Sequence, residues 1–210
     1  DRTFFSSNFF IAILVLILLI ALVIIISIVN RPKFLTISGF NWLQDDITVS
    51  TNGSEISAET LREFSMNIEN HGETIVTIKD SSDRVIRENK YNTQNKNGLI
   101  LELVSSVQEN QCIIKTVVTD IYYKVNEDFS LENFETISDK AVTSYFYEFN
   151  PQEINTNFLV YPGRYDKEKL PEKIPDGQDV VGLFFVDCNN LKDKSKLRAD
   201  ILGSVYFEKN

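Results

Sequence analysis

Residues 9–29 of this chain read FFIAILVLILLIALVIIISIV, with no charged side chain and Ser27 as the one polar side chain. At about 1.5 Å rise per residue, a helix of this length extends roughly 32 Å, which matches the ~30 Å hydrocarbon core of a bilayer. The stretch is too long for a cleaved secretion signal, whose apolar part has about 7–15 residues. It also has no polar face with which to cover a soluble core. We therefore predict one N-terminal helix that lies in a membrane or in an equally dry helical environment.

The apolar segment and the rest of the chain form two predicted domains. Pro32 disfavours helical geometry at the residue before it, and the pattern changes there from all-apolar to alternating. We place a hydrophobic helix at residues 1–31 and a β-sandwich domain at residues 32–210. The helix residues that we expect to contact lipid or neighbouring helices are Phe9, Ile13, Leu16, Leu18, Leu19, Leu22 and Ile26.

The sequence pattern of residues 32–210 predicts an all-β fold of nine or ten short strands. In residues 64–68 (FSMNI), for example, apolar side chains recur at every second position, the pattern of a strand with one buried face. The count and spacing favour one sandwich, Ig-like or jelly-roll-like. Eleven β-like runs are the candidates for these nine or ten strands, at residues 34–37, 47–49, 64–68, 74–79, 84–87, 99–104, 112–125, 142–149, 158–161, 180–186 and 201–207. We further predict a hairpin turn at residues 95–98, one helical turn at 59–63 and a short helix within 191–200.

Three features bear on the compartment of the β-domain. Cys112 and Cys188 can form one disulfide that closes a loop of about 76 residues, although two separate buried thiols fit the sequence equally well. Asn52-Gly53-Ser54 is an N-glycosylation sequon, which matters only in an exported protein. Arg2 precedes the helix and Arg31 and Lys33 follow it, so a count of flanking positive charges places the domain in the cytoplasm, but by a difference of only one charge. We expect the domain to lie outside the cytoplasm.

The composition and motifs predict no enzymatic activity, cofactor or metal site. A net charge of −9 argues against nucleic acid as a partner, because its recognition needs basic patches. His71 is the single histidine and lies in a predicted turn. With one histidine, the sequence indicates neither a Ser-His-Asp arrangement nor a zinc site. Residues 187–198 have part of a calcium-loop spacing but carry Arg198 where a bidentate glutamate belongs. Trp42 fits a core or membrane-interface position better than a ligand-stacking one.

This layout resembles archaeal type IV pilins and their archaellum relatives. The resemblance rests on a start at Asp1 without Met, an apolar stretch over residues 4–29, and a β-domain after Pro32. It implies a removed leader, a filament core of bundled helices, and β-domains on the outside. We therefore expect a structural subunit of a cell-surface filament that self-associates through its helix and contacts a bilayer at least before assembly.

A second interpretation remains open at this point. The alternative is a single-pass membrane protein whose extracytoplasmic β-sandwich binds a surface protein or serves as a subunit of a membrane complex. A membrane-tethered enzyme is a more distant third, since no pair among the thirty acidic residues is singled out for acid–base chemistry. The sequence upstream of Asp1 would separate the first two interpretations, because a short basic leader favours the pilin.

Overall fold

The chain divides into two compact units, Asp1–Lys33 and Phe34–Asn210. The computed structural model describes residues 2–29, 34–94, 96–106, 110–117, 134–149, 154–155, 177–192 and 204–209. The first unit consists of helix α1, Arg2–Val29. The second is built from strands, so the prediction of a mostly β protein with one N-terminal helix is confirmed.

The second unit contains thirteen described strands and one short 3₁₀ helix, Cys188–Asn190. In chain order the strands are β1 Phe34–Asn41, β2 Ile47–Thr51, β3 Ser54–Ala58, β4 Glu63–Glu69, β5 Glu73–Asp80, β6 Val85–Asn92, β7 Asn97–Val104, β8 Gln111–Val117, β9 Glu135–Ser138, β10 Ser144–Phe149, β11 Ile154–Asn155, β12 Gln178–Asp187 and β13 Ser204–Lys209. Their alternating and apolar patterns are those of half-buried and fully buried strands respectively.

The strands form three sheets. The central sheet has the order β10-β7-β1-β4, the second sheet β3-β2-β5-β6, and the third sheet β11-β13-β12-β8-β9. Described neighbours pair antiparallel with one exception, the parallel pairing of β1 with β7. Between β1 and β7 the chain forms the whole second sheet from β2, β3, β5 and β6, and returns once to the central sheet to add β4.

Strand β7 supplies side chains to two hydrophobic cores. Its even-numbered residues Ile100 and Val104 pack among residues of the central and second sheets. Its odd-numbered residues, represented by Leu101, pack among residues of β8 and β12 in the third sheet. Every residue of β7 after Asn97 is buried, which explains the near-continuous apolar sequence of this strand. The central sheet therefore has hydrophobic contacts on both of its faces.

Two local predictions are wrong. Residues 95–98 do not close a hairpin, because β6 belongs to the second sheet and β7 to the central sheet. Asn97 and Gly98 instead begin β7, where the Asn97 side chain accepts a hydrogen bond from the Phe34 amide at 3.0 Å. Residues 59–63 do not form a helical turn, since Leu61 has a φ of 52° in a turn and Glu63 already starts β4.

Three predicted strands and one predicted helix fall wholly or partly outside the described residues. The strand at 158–161 and most of the helix at 191–200 lie there, as do the second half of the strand at 112–125 and residues 201–203 of the strand at 201–207. The first half of that run is β8.

Candidate functional site

Every described side chain of helix α1, from Phe9 to Ile25, is exposed. Of the predicted assembly residues, Phe9, Ile13, Leu16, Leu18, Leu19 and Leu22 are all exposed, by 41% at Ile13 to 68% at Phe9. The Ile26 side chain lies outside the described set. No helix in the described part of the chain combines the length and hydropathy that crossing a bilayer requires.

A second feature, which the sequence did not reveal, is a buried polar cluster between the central and second sheets. Its acidic member, Glu102, lies on β7 with an exposed fraction of 0%. Across from it, β6 alternates between exposed residues and the partly buried Arg87, Asn89 and Tyr91. Ser144 completes the set from β10, where it is the cross-strand partner of Glu102. We call these five residues the Glu102 cluster.

The carboxylate of Glu102 is surrounded by hydrogen-bond donors. Oε1 accepts from the Tyr91 hydroxyl at 2.7 Å, from Asn89 Nδ2 at 3.1 Å and from Ser144 Oγ at 3.1 Å. Oε2 accepts from Asn89 Nδ2 at 3.2 Å and from Arg87 Nη1 at 3.3 Å. The hydroxyl oxygens of Tyr91 and Ser144 also contact each other, and since each carries one proton, a hydroxyl that donates to the other does not donate to Oε1 at the same time. Both oxygens are thereby satisfied, as a buried carboxylate requires.

Arg87 connects this carboxylate to the backbone of two strands. Its Nη1 lies 2.8 Å from the carbonyl oxygen of Leu103 on β7 and 3.2 Å from that of Thr143, just before β10. The Arg87 side chain is 19% exposed, so the guanidinium lies at the rim of the cluster. One side chain of β6, the edge strand of the second sheet, therefore contacts three acceptors on the central-sheet side of the interface.

The two cross-strand partners of Glu102 in the central sheet are small residues. Gly39 is its partner on β1, and Ser144 is its partner on β10. A Cβ atom at Gly39 would lie 2.0 Å from the Glu102 carbonyl oxygen and 2.6 Å from Phe64 Cζ. A real Cβ does not approach backbone so closely. Glycine is therefore required at position 39, where β1 pairs with β7.

Burial dominates the electrostatics of the cluster. Loss of solvation raises the pKa of Glu102, while hydrogen bonds from Tyr91 and Asn89 and the charge of Arg87 act in the opposite direction. Burial, followed by the neighbouring Glu102 charge, raises the pKa of Tyr91 far above its ordinary value. The phenol therefore stays protonated at any physiological pH and remains a donor to Glu102.

The arrangement fits cross-strand attachment better than catalysis. A general acid or base must come within hydrogen-bond distance of a substrate, and Glu102 has no exposed surface through which to do so. Its partners belong to β6 and β10 rather than to loops around an open cleft. The cluster is therefore a set of polar contacts that fixes β6 against the central sheet.

The two cysteines form a disulfide in the third sheet. Their Cα atoms are 5.0 Å apart and 76 residues separate them in sequence. Cys112 lies on β8 and pairs with Val186 of β12, and Cys188 follows directly after β12. Its amide donates to the carbonyl of Asn110 at 2.9 Å. The bond thus joins the ends of two strands that are already neighbours.

The remaining predicted positions are distributed over the domain. Asn52 is exposed in the two-residue turn between β2 and β3, where its φ of 45° and that of Gly53, 84°, suit a tight hairpin. His71 is exposed between β4 and β5. Trp42 is 36% exposed after β1, with its ring centroid 5.0 Å from that of Phe40. Within the described residues no three His, Cys, Asp or Glu side chains group as metal ligands.

Comparison with known proteins finds no matching family model and no similar curated sequence.

One sequence signal points to the Glu102 cluster. Glu102 is the single charge in the run LILELV at residues 99–104, and a charge within a buried strand needs a partner. The alternation of Arg87, Asn89 and Tyr91 on β6 is the matching half of the pattern. Only the three-dimensional fold brings these two halves together, because β6 and β7 belong to different sheets.

Proposed function

We propose that this protein is a structural subunit of a cell-surface filament, assembled through its N-terminal helix with the β-domain exposed. The observation that carries the proposal is the exposure of large apolar side chains around the whole helix between Phe9 and Ile25. At about 25 cal/mol per Å² of apolar surface, such a helix is strongly driven out of water. Packing against copies of itself satisfies all of its faces at once.

The β-domain suits the outer layer of such a filament. Its own apolar side chains form two cores, whereas the chain as a whole carries a net charge of −9, which favours a solvated surface. We assign the facing central and second sheets to a β-sandwich to which the third sheet is added. Its exact type, Ig-like or jelly-roll-like, does not enter the argument.

The proposed location is outside the cytoplasm. Disulfides persist in oxidising compartments, and the bond between Cys112 and Cys188 supports export of the domain. The exposed hairpin position of Asn52 is compatible with the sequon being modified there. The bilayer would be the partner of the helix before assembly, and other copies of the helix would be its partners afterwards.

The test is electron microscopy of material sheared from cells, with mass spectrometry to identify the chain. We expect detergent-free filaments for the unmodified protein and none for Leu18→Arg, because a charge at mid-helix cannot be accommodated among apolar neighbours. Leu18→Ile and the exposed β-domain change Glu88→Arg are matched controls that should still assemble. Filaments formed by Leu18→Arg would refute the role of the helix.

The same experiment distinguishes the filament subunit from the single-pass membrane protein. If the protein occurs only in detergent-extracted membranes, as a monomer or in a defined complex, the filament proposal is wrong. The single-pass anchored β-domain with a protein partner would then take its place.

A further inference from the structure

We propose that the Glu102 cluster is a proton-dependent attachment between β6 and the central sheet, in which uptake of a proton by Glu102 stabilises the β-domain. This inference concerns the fold of the domain and does not rest on the filament proposal. It is carried by the composition of the cluster and by the complete burial of its carboxylate.

Charge around Glu102 is compensated from one side only. Strand β6 supplies Arg87, the single described cation that forms an ion pair with it, together with the neutral donors Asn89 and Tyr91. The opposing position on β10 holds Ser144, and that on β1 holds Gly39, which has no side chain. Along β7 the same face continues as Ile100 and Val104, which are apolar.

The one cation is also shared. Arg87 Nη1 is closer to the carbonyl oxygen of Leu103, at 2.8 Å, than to Glu102 Oε2, at 3.3 Å. A carboxylate with no exposed surface thus depends on a partner that is itself partly committed to the backbone. Loss of solvation outweighs the donors, and the pKa of Glu102 lies above its ordinary value.

Protonation would leave β6 attached. Arg87 keeps its contacts with the carbonyls of Leu103 and Thr143, and its 19% exposure lets its charge reach solvent. A protonated Glu102 can still accept from Tyr91 and Asn89 and gains a proton to donate to Ser144. When Glu102 is protonated, the domain therefore loses the ion pair between Glu102 and Arg87 but no longer buries a negatively charged carboxylate.

The sign of the pH effect follows from the raised pKa. Between the unfolded value of about 4.3 and the folded value, the native state binds more protons than the unfolded state. The contribution of Glu102 to stability is therefore fully present below about pH 4.3 and is lost as the pH rises through the folded pKa. Within that window the unfolding equilibrium constant should rise by up to about tenfold per pH unit.

Glu102→Gln isolates this contribution, because it imitates the protonated side chain while all other carboxylates of the acidic chain stay unchanged. Denaturant unfolding of the full-length protein in detergent is followed from pH 4 to pH 7.5 through Trp42, its single tryptophan. We expect the wild type to lose stability relative to Glu102→Gln as the pH rises. A constant difference between the two proteins, or a gain of the wild type with rising pH, would overturn the proposal.

A direct titration covers the case in which Glu102→Gln does not fold. Carboxyl ¹³C NMR of the chain with labelled glutamate reports the titration midpoint of Glu102, the pH at which half of its carboxyl groups are protonated. The Glu102 signal is identified as the one that shifts in Arg87→Gln and does not shift in the control Arg84→Gln. A midpoint above about 4.3 that rises further in Arg87→Gln is the expected result. A midpoint at or below that value refutes the proposal.

Discussion

Replacing Arg87 with methionine should destabilise the β-domain far more than replacing any exposed arginine. Methionine keeps much of the length of the side chain but removes the charge. The buried Glu102 then loses its ion-pair partner, and the carbonyls of Leu103 and Thr143 lose a donor. Removing one partner of a buried pair typically costs about 3–5 kcal/mol. Because Arg87 is 19% exposed and three other donors remain, we expect a smaller loss than this, about 2–3 kcal/mol.

Arg84→Met is the matched control on the same hairpin. Arg84 pairs with Asp80 at 2.9 Å, but its side chain is 79% exposed, so its loss should cost about 0–1 kcal/mol. Both variants are compared with wild type by denaturant unfolding at pH 7, with Trp42 fluorescence as the signal. In a double-mutant cycle, Arg87→Met and Glu102→Gln should show a coupling energy of about 1–3 kcal/mol. Equal losses in the two arginine variants would refute the view that Arg87 acts through the buried carboxylate.

Two further changes test other parts of the domain. Leu61→Gly should raise the midpoint of thermal unfolding by about 2–4 °C, since Leu61 is 41% exposed and its φ of 52° costs a leucine roughly 1 kcal/mol; a lower midpoint would mean that the side chain makes contacts that outweigh the strain. Replacing both Cys112 and Cys188 with serine should lower the free energy of unfolding by about 2–4 kcal/mol, measured by denaturant titration against untreated wild type, because the bond closes a 76-residue separation. Treating wild type with a reductant should give the same loss, and an unchanged stability in both would contradict the chain-entropy argument.

The sequence predicted those elements whose pattern is local. The alternation of Phe64, Met66 and Ile68 identified β4, and the apolar run at 99–104 identified β7. Side-chain periodicity alone was enough in both places, because β4 has one mostly buried face and β7 is buried on both faces.

The features that the sequence did not predict correctly involve residues whose partners are distant in sequence. Asn97-Gly98 has the composition of a hairpin turn, yet Gly98 packs closely against Phe146 of β10 within a strand, so the tertiary contact overrides the local preference. In the sequence, the polar side chains of β6 have the composition of an exposed edge strand. Only the fold shows that side chains of β6 donate hydrogen bonds to Glu102. The parallel pairing of β1 with β7 leaves no local pattern from which to predict it.

That parallel pairing also affects the order of events during synthesis. The amide of Phe34 bonds the side chain of Asn97, 63 residues later, so β1 has no neighbour on that side until β7 has been made. At about 5–20 residues per second, the ribosome needs roughly 3–12 s to reach it. Sheets closed by such distant contacts also fold slowly once complete. The helix, with its exposed side chains from Phe9 to Ile25, is therefore synthesised seconds before the β-domain that follows it can fold.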